Sequence, residues 1–90
     1  MSTTYCIGDD VRAADGPDGA VLLDIGQGRV FALNAVGSLI FARLGRHQSE
    51  AQMVRELSQE LGVDPAIFGR DLSDFLSSLV AQDLIRPRTD

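Results

Sequence analysis

Residues 20–34 read AVLLDIGQGRVFALN, and the alternation inside this stretch decides the fold. Val21, Leu23 and Ile25 fall on one face of an extended chain and Leu22 with Asp24 on the other, so Ala20 to Ile25 is expected as a strand. Gly26-Gln27-Gly28 follows as a tight connection whose glycines accept positive φ. The chain can therefore reverse directly into Arg29-Val30-Phe31-Ala32-Leu33 as an antiparallel partner. Both rows of that second strand are apolar, Phe31 and Leu33 on one side, Val30 and Ala32 on the other. The period alone leaves open which row faces the core. Asn34 then offers a side-chain oxygen to the free amides of a helix that starts at Ala35.

Upstream, Asp15-Gly16-Pro17-Asp18-Gly19 is a dense cluster of turn formers, and Val11 to Ala14 before it is expected as a short strand. Residues 1–9 carry no pattern and are expected to be flexible. Downstream, Val36, Leu39, Ile40 and Leu44 repeat at helical spacing, with Gly45 as the stop. Ser49 and Gln52 form a capping box for a second helix carrying Met53, Val54, Leu57 and Leu61 and closed by Gly62. Asp64 as N-cap with Pro65 at the first helical position starts a third helix that runs to about Asp83. Leu84 and Ile85 end the ordered chain, leaving 86–90 as a tail. The expectation is one α+β domain over residues 1–90, a three-stranded antiparallel sheet followed by three helices.

A chain of 90 residues holds a single modest core and no deep cavity beside it, which disfavours a self-contained enzyme. Its 8 basic residues, all arginine, stand against 13 acidic ones for a net charge of −5, the wrong sign for a protein that neutralises phosphates or anionic lipid. No apolar run approaches a membrane span and the N-terminus lacks the layout of a signal peptide, so a cytoplasmic protein is expected.

Candidate chemistry is sparse. Cys6 is the single cysteine and His47 the single histidine, the latter in a polar stretch, so neither an intramolecular disulfide nor a multi-cysteine zinc site is available. Asp9 with Asp10 and Asp71 with Asp74 read as solvated carboxylates, since no HExxH, DxDxDG, P-loop or GxSxG motif accompanies them. Gly26-Gln27-Gly28 precedes a strand and not a helix, so it is a hairpin turn and not a phosphate cradle. No catalytic residue, metal or cofactor is expected.

The third helix is more informative. Phe68, Leu72, Phe75 and Leu79 centre its apolar arc, flanked by Ile67 and by Leu76 with Val80, and the arc spans about 220°, twice what one packed face requires. Either the helix is buried on two sides or part of the arc lines a groove. Asp71 sits at the arc's edge, where it can accept from a donor group. With Arg70 against Asp71, Asp74 and Asp83, the helix has a balance of 1 − 3 = −2, which opposes phosphate.

The run from Val21 through Asn34 to Gly37 resembles the signature of the PqqD-like family: a strand, a short turn, an aromatic-bearing strand and LN-x-x-G entering the first helix. Gly69-Arg70-Asp71-Leu72-Ser73-Asp74-Phe75-Leu76-Ser77-Ser78-Leu79 resembles its D-[VL]-x-x-F-L-x-x-L helix, and Leu84-Ile85 its usual ending. Met1 to Gly19 carries no family motif. The resemblance implies a winged helix-turn-helix-like RiPP recognition element, most similar to the discrete leader-binding proteins of lasso peptide biosynthesis. It implies no catalysis; the partners would be the leader segment of a ribosomally made precursor, a leader peptidase and possibly a cyclase, without nucleic acid or membrane. The leader is then expected to add as a strand along Arg29, Val30, Phe31, Ala32 and Leu33. Val30, Ala32, Leu72, Phe75 and Leu79 would supply apolar walls, and Asp71, Asp74 and the neighbouring Ser78 polar contacts. The alternatives are a chaperone for another modified peptide, such as the pyrroloquinoline quinone precursor, and a small winged-helix DNA-binding regulator.

Overall fold

A computed structural model describes residues 3–16 and 19–88. Among these residues, five strands and three helices follow in the order β1 (Thr4–Ile7), β2 (Val11–Gly16), β3 (Gly19–Asp24), β4 (Arg29–Ala32), α1 (Ala35–Gly45), α2 (Glu50–Leu61), α3 (Pro65–Ala81) and β5 (Ile85–Arg88). The expected antiparallel sheet is present in the order β2-β3-β4, with β4 at its edge. Val21 pairs with Ala32, Leu22 with Phe31 and Leu23 with Val30. Gly28 makes the reversal at φ 66, the left-handed region that glycine enters without steric cost. Pro17 and Asp18, the middle of the expected turn, lie outside the described residues, while Gly16 and Gly19 on either side are register partners.

The register settles which row of β4 faces inward. Leu22 is fully buried, and Phe31 lies opposite it on the same face. Phe31 and Leu33 therefore pack against the core while Val30, at 68% exposure, faces solvent.

Two expectations are corrected. Residues 4–7 are not a flexible arm but β1, and 86–88 are not a tail but most of β5; these strands form their own two-stranded antiparallel sheet, Thr4 opposite Arg88 and Ile7 opposite Ile85. Pro87 interrupted the apparent pattern, yet a proline is tolerated in an edge strand, where no ladder donor is needed from it. Glu50 N–H donates to the Thr3 carbonyl at 3.0 Å and the Tyr5 hydroxyl donates to Glu50 Oε1 at 3.1 Å, which ties β1 to the start of α2. Met1, Ser2, Thr89 and Asp90 lie outside the described residues.

The helix ends follow the sequence signals with three differences. Ser49 Oγ accepts from Gln52 N–H at 3.1 Å, but the Gln52 side chain donates to Glu56 at 3.0 Å instead of returning to Ser49, so half the capping box forms. Gly45 is still helical, and the left-handed residue after α1 is His47 at φ 60. Gly62 closes α2 at φ 67, and Asp64 caps α3 by accepting from Ala66 N–H at 2.8 Å. α3 ends at Ala81, two residues short of the expected Asp83, which turns the chain toward β5 at φ 65.

Leu22 from the sheet, Ile40, Phe41 and Leu44 from α1, Met53 and Leu57 from α2, and Phe68, Leu72, Leu76 and Leu79 from α3 make one core. On α3 the burial is centred on Leu72, Leu76 and Leu79, while Ile67 is 57% exposed and Phe75 only half-buried. The wide arc thus keeps one flank open. No helix among the described residues is long and apolar enough to cross a membrane.

Candidate functional site

The open flank of α3 faces the free edge of β4. Leu33 N–H donates to the Ala20 carbonyl at 2.7 Å, and antiparallel ladders alternate between bonded and non-bonded pairs. Leu33, Phe31 and Arg29 therefore direct their main-chain groups at β3, and Val30 and Ala32 direct theirs outward. Because β4 is an edge strand, those outward N–H and C=O groups are ready to accept another strand.

Next to this edge is an open groove of about 310 Å³. Ala32, Leu33 and Asn34 form one wall, Val36, Gly37 and Ile40 of α1 the end, and Phe68, Asp71, Leu72 and Phe75 of α3 the other wall. Asp71 is its one charged lining residue. The LN-x-x-G pattern acquires a physical meaning here. Asn34 Oδ1 accepts from Gly37 N–H at 2.8 Å, and a Cβ at Gly37 would stand 3.3 Å from that oxygen and 3.4 Å from the tip of the Phe75 ring. The glycine thus lets the cap and the aromatic wall occupy one corner. Ser38 Oγ braces the same corner, accepting from Ala20 N–H at 2.7 Å and donating to the Asn34 carbonyl at 2.9 Å.

Of the residues expected at the site, Ala32, Leu33, Asp71, Leu72 and Phe75 are brought together on the groove. Val30 offers its backbone to the edge while its side chain faces solvent. Asp74 and Ser78 are exposed and, with Asp71 and Gln82, recur at three- and four-residue intervals as a polar stripe along α3. Leu79 is buried in the core and Phe31 packs on it, so both support the site from behind. Asn34, Val36, Gly37, Ile40 and Phe68 were not anticipated as lining. The spacing of Asn34 and Gly37 was the available signal.

Arg29, expected as a ligand contact, is committed within the fold. Its Nη2 and Nε donate to Asp24 Oδ2 at 2.7 and 3.1 Å, its Nη1 to Gln82 Oε1 at 3.0 Å, and its Nη2 also to the Gln82 carbonyl at 2.6 Å. The guanidinium lies 5.1 Å from the centre of the Phe31 ring. The hydrogen bonds from Arg29 hold the nearly buried Asp24 carboxyl below its usual range; burial opposes this and the Gln27 N–H assists. A carboxyl depressed in the folded state contributes stability that is fully present above the ordinary carboxylate range and lost as pH falls through the lowered native value. Urea unfolding is therefore expected to show stability declining below about pH 4. Asp24→Asn should flatten part of that decline, and an unchanged profile in the variant would rule the pair out. Glu56, depressed by its hydrogen bond from Gln52 and by Arg43, supplies a parallel contribution that survives the substitution.

The family model of Coenzyme PQQ synthesis protein D (PqqD) matches residues 19–85, from the first residue of β3 to the first of β5. Among solved structures, the chain is similar to TbiB1 in complex with the TbiA(beta) leader peptide, at 36% identity and a TM-score of 0.84, covering 93% of this chain and 98% of that one. It is also similar to a lasso peptide synthetase B1 complexed with the leader peptide, at 28% identity and a TM-score of 0.85, covering 92% of this chain and 98% of that one. No curated protein matches.

Proposed function

Since this chain belongs to the PqqD family of RiPP recognition elements, we propose that it is a non-catalytic adaptor that binds the leader segment of a ribosomally made precursor by strand addition and presents it to the leader peptidase and cyclase of lasso peptide biosynthesis. The observation that carries this reading is the free β4 edge, with the main-chain groups of Val30 and Ala32 turned outward beside an apolar groove. An added strand gains main-chain hydrogen bonds with little demand on sequence, and alternate side chains enter the groove for specificity. Phe75, Leu72, Leu33 and Ala32 would contact the apolar ones; Asp71, with Asp74 and Ser78 on the rim, would take donors. Two similar proteins, TbiB1 and a lasso peptide synthetase B1, are known in complex with leader peptides, which supports the same occupant here.

Anisotropy titration tests it with three labelled probes: a peptide of the TbiA(beta) leader sequence, a pyrroloquinoline quinone precursor peptide and duplex DNA. Saturable binding of the first with shallow salt dependence is expected. Tighter binding of the second would move the chain to the other branch of the family, and tight DNA binding with a steep salt slope would replace the adaptor by a regulator. The acidic stripe on α3 opposes that last outcome. Incubated alone with a precursor, the protein is expected to leave it intact, as mass spectrometry would show.

A further inference from the structure

We infer that Arg29 is a positioning residue: a latch that fixes the β2-β3-β4 sheet against the C-terminal end of α3 and so sets the width of the groove. This inference rests on the adaptor reading and concerns how its site is held ready. The site is built from two bodies, a β-sheet edge and a helix, and its width depends on their separation. Among the described residues, the hydrogen bonds that join β4 to α3 are those from Arg29 to Gln82. One guanidinium bonds the Asp24 carboxylate on β3, the Gln82 side chain and the Gln82 main-chain oxygen, and it lies beside Phe31.

Each partner suits the task. The Gln82 carbonyl belongs to the C-cap of α3, where unpaired carbonyls carry partial negative charge that a cation neutralises. Asp24 has a side chain only 7% exposed and also accepts from Gln27 N–H at 3.2 Å, so the carboxylate is itself immobilised by the hairpin turn. A planar fork with several donors can hold two bodies at once, which a lysine ammonium on a flexible stem does poorly. The latch lies at the Arg29 end of β4 and the groove at the Leu33 end, so holding the first fixes the geometry of the second without filling it.

Without the latch the sheet is freer to swing from α3, and affinity falls in proportion to the fraction of molecules whose groove is correctly spaced. If that fraction drops to about a fifth, Kd rises about fivefold. Arg29→Met keeps the stem and removes the fork; Gln82→Ala removes one partner at an exposed position; Arg29→Lys keeps the charge. With the TbiA(beta) leader peptide as probe, Arg29→Met is expected to bind about fivefold more weakly. Arg29→Lys should fall between it and the parent, and the double variant Arg29→Met with Gln82→Ala should be no weaker than Arg29→Met alone, because both changes open the same bridge. Additive losses, or folded Arg29→Met binding at parental affinity, would overturn the latch.

A measurement on the free protein decides the matter separately. In amide NMR spectra, Arg29→Met should shift and broaden signals at the groove itself, at Leu33 and Asn34 and around Phe75, as well as beside Phe31 and Gln82. Changes confined to the neighbours of Arg29 would defeat the latch even if the peptide binds. Failure of the parent to bind the peptide, with the NMR changes present, would defeat the adaptor reading and leave the latch standing.

Discussion

Replacing Ala32 with proline is expected to weaken leader-peptide binding by about 2 kcal/mol or more, some thirtyfold in Kd, while the protein stays folded. What decides the outcome is which main-chain groups of β4 the neighbouring β3 already uses. Leu33 donates to Ala20, so alternation along the ladder leaves the Ala32 N–H pointing away from the sheet. Proline removes that donor and places its ring where an added strand would lie, but breaks no bond of the β3–β4 ladder. Phe31→Pro is the control. Its N–H belongs to the inner row and its ring packs on the core, so this variant should lose stability instead of binding alone. Circular dichroism melts together with anisotropy titration separate the two effects. A folded Ala32→Pro protein with parental affinity would show that the peptide does not pair with β4.

The second large effect is expected at Phe75. It is half-buried, packs on the core with one side and closes the groove with the other, and its ring tip approaches Gly37. Aromatic residues in such positions often carry a disproportionate share of binding energy. Phe75→Ala should therefore weaken peptide binding by about 1–3 kcal/mol, roughly 5- to 150-fold. Its neighbour Leu76 provides the contrast, since it is 1% exposed and has no face on the groove. Leu76→Ala should lower the melting temperature and leave the affinity of the folded fraction nearly unchanged. Reversal of these two outcomes would place the binding surface elsewhere on α3.

Most of the fold was legible because its decisive signals are local. The hairpin declared itself through alternation and two glycines, and Asn34, Ser49 and Asp64 each cap the helix expected of them. β1 and β5 were not legible: each is a four-residue strand, and the Thr4 side chain bonds the main chain of Arg88, 84 positions away. No short-range pattern marks such a pair. The inward row of β4 was undecidable for a different reason, since Phe31 with Leu33 and Val30 with Ala32 are both apolar. The deciding fact, burial of Leu22 across from Phe31, is tertiary. Half of the groove could be named, Ala32 and Leu33 from the second strand of the hairpin and Asp71, Leu72 and Phe75 from the α3 arc. The part contributed by α1 could not, because Val36 and Gly37 become walls only once α1 is folded back beside α3. Arg29 could be named only as part of the strand along which the leader would add; the partners of its side chain, Asp24 and Gln82, are tertiary and left no local signal.

The β1–β5 ladder sets Thr4 opposite Arg88, so the two ends of the described chain are joined by hydrogen bonds and not by a peptide bond. Their order along the polypeptide is then largely a formality. A short linker between the ends, with new termini opened at the exposed turn of Gly26, Gln27 and Gly28, would give a circularly permuted domain with the same neighbours in space. By the same geometry, a cargo joined next to Thr4 or next to Arg88 would leave the domain from one spot, and the segment from Thr4 to Arg88 could be spliced as a cassette into a surface loop of a host protein whose loop ends lie one strand spacing apart.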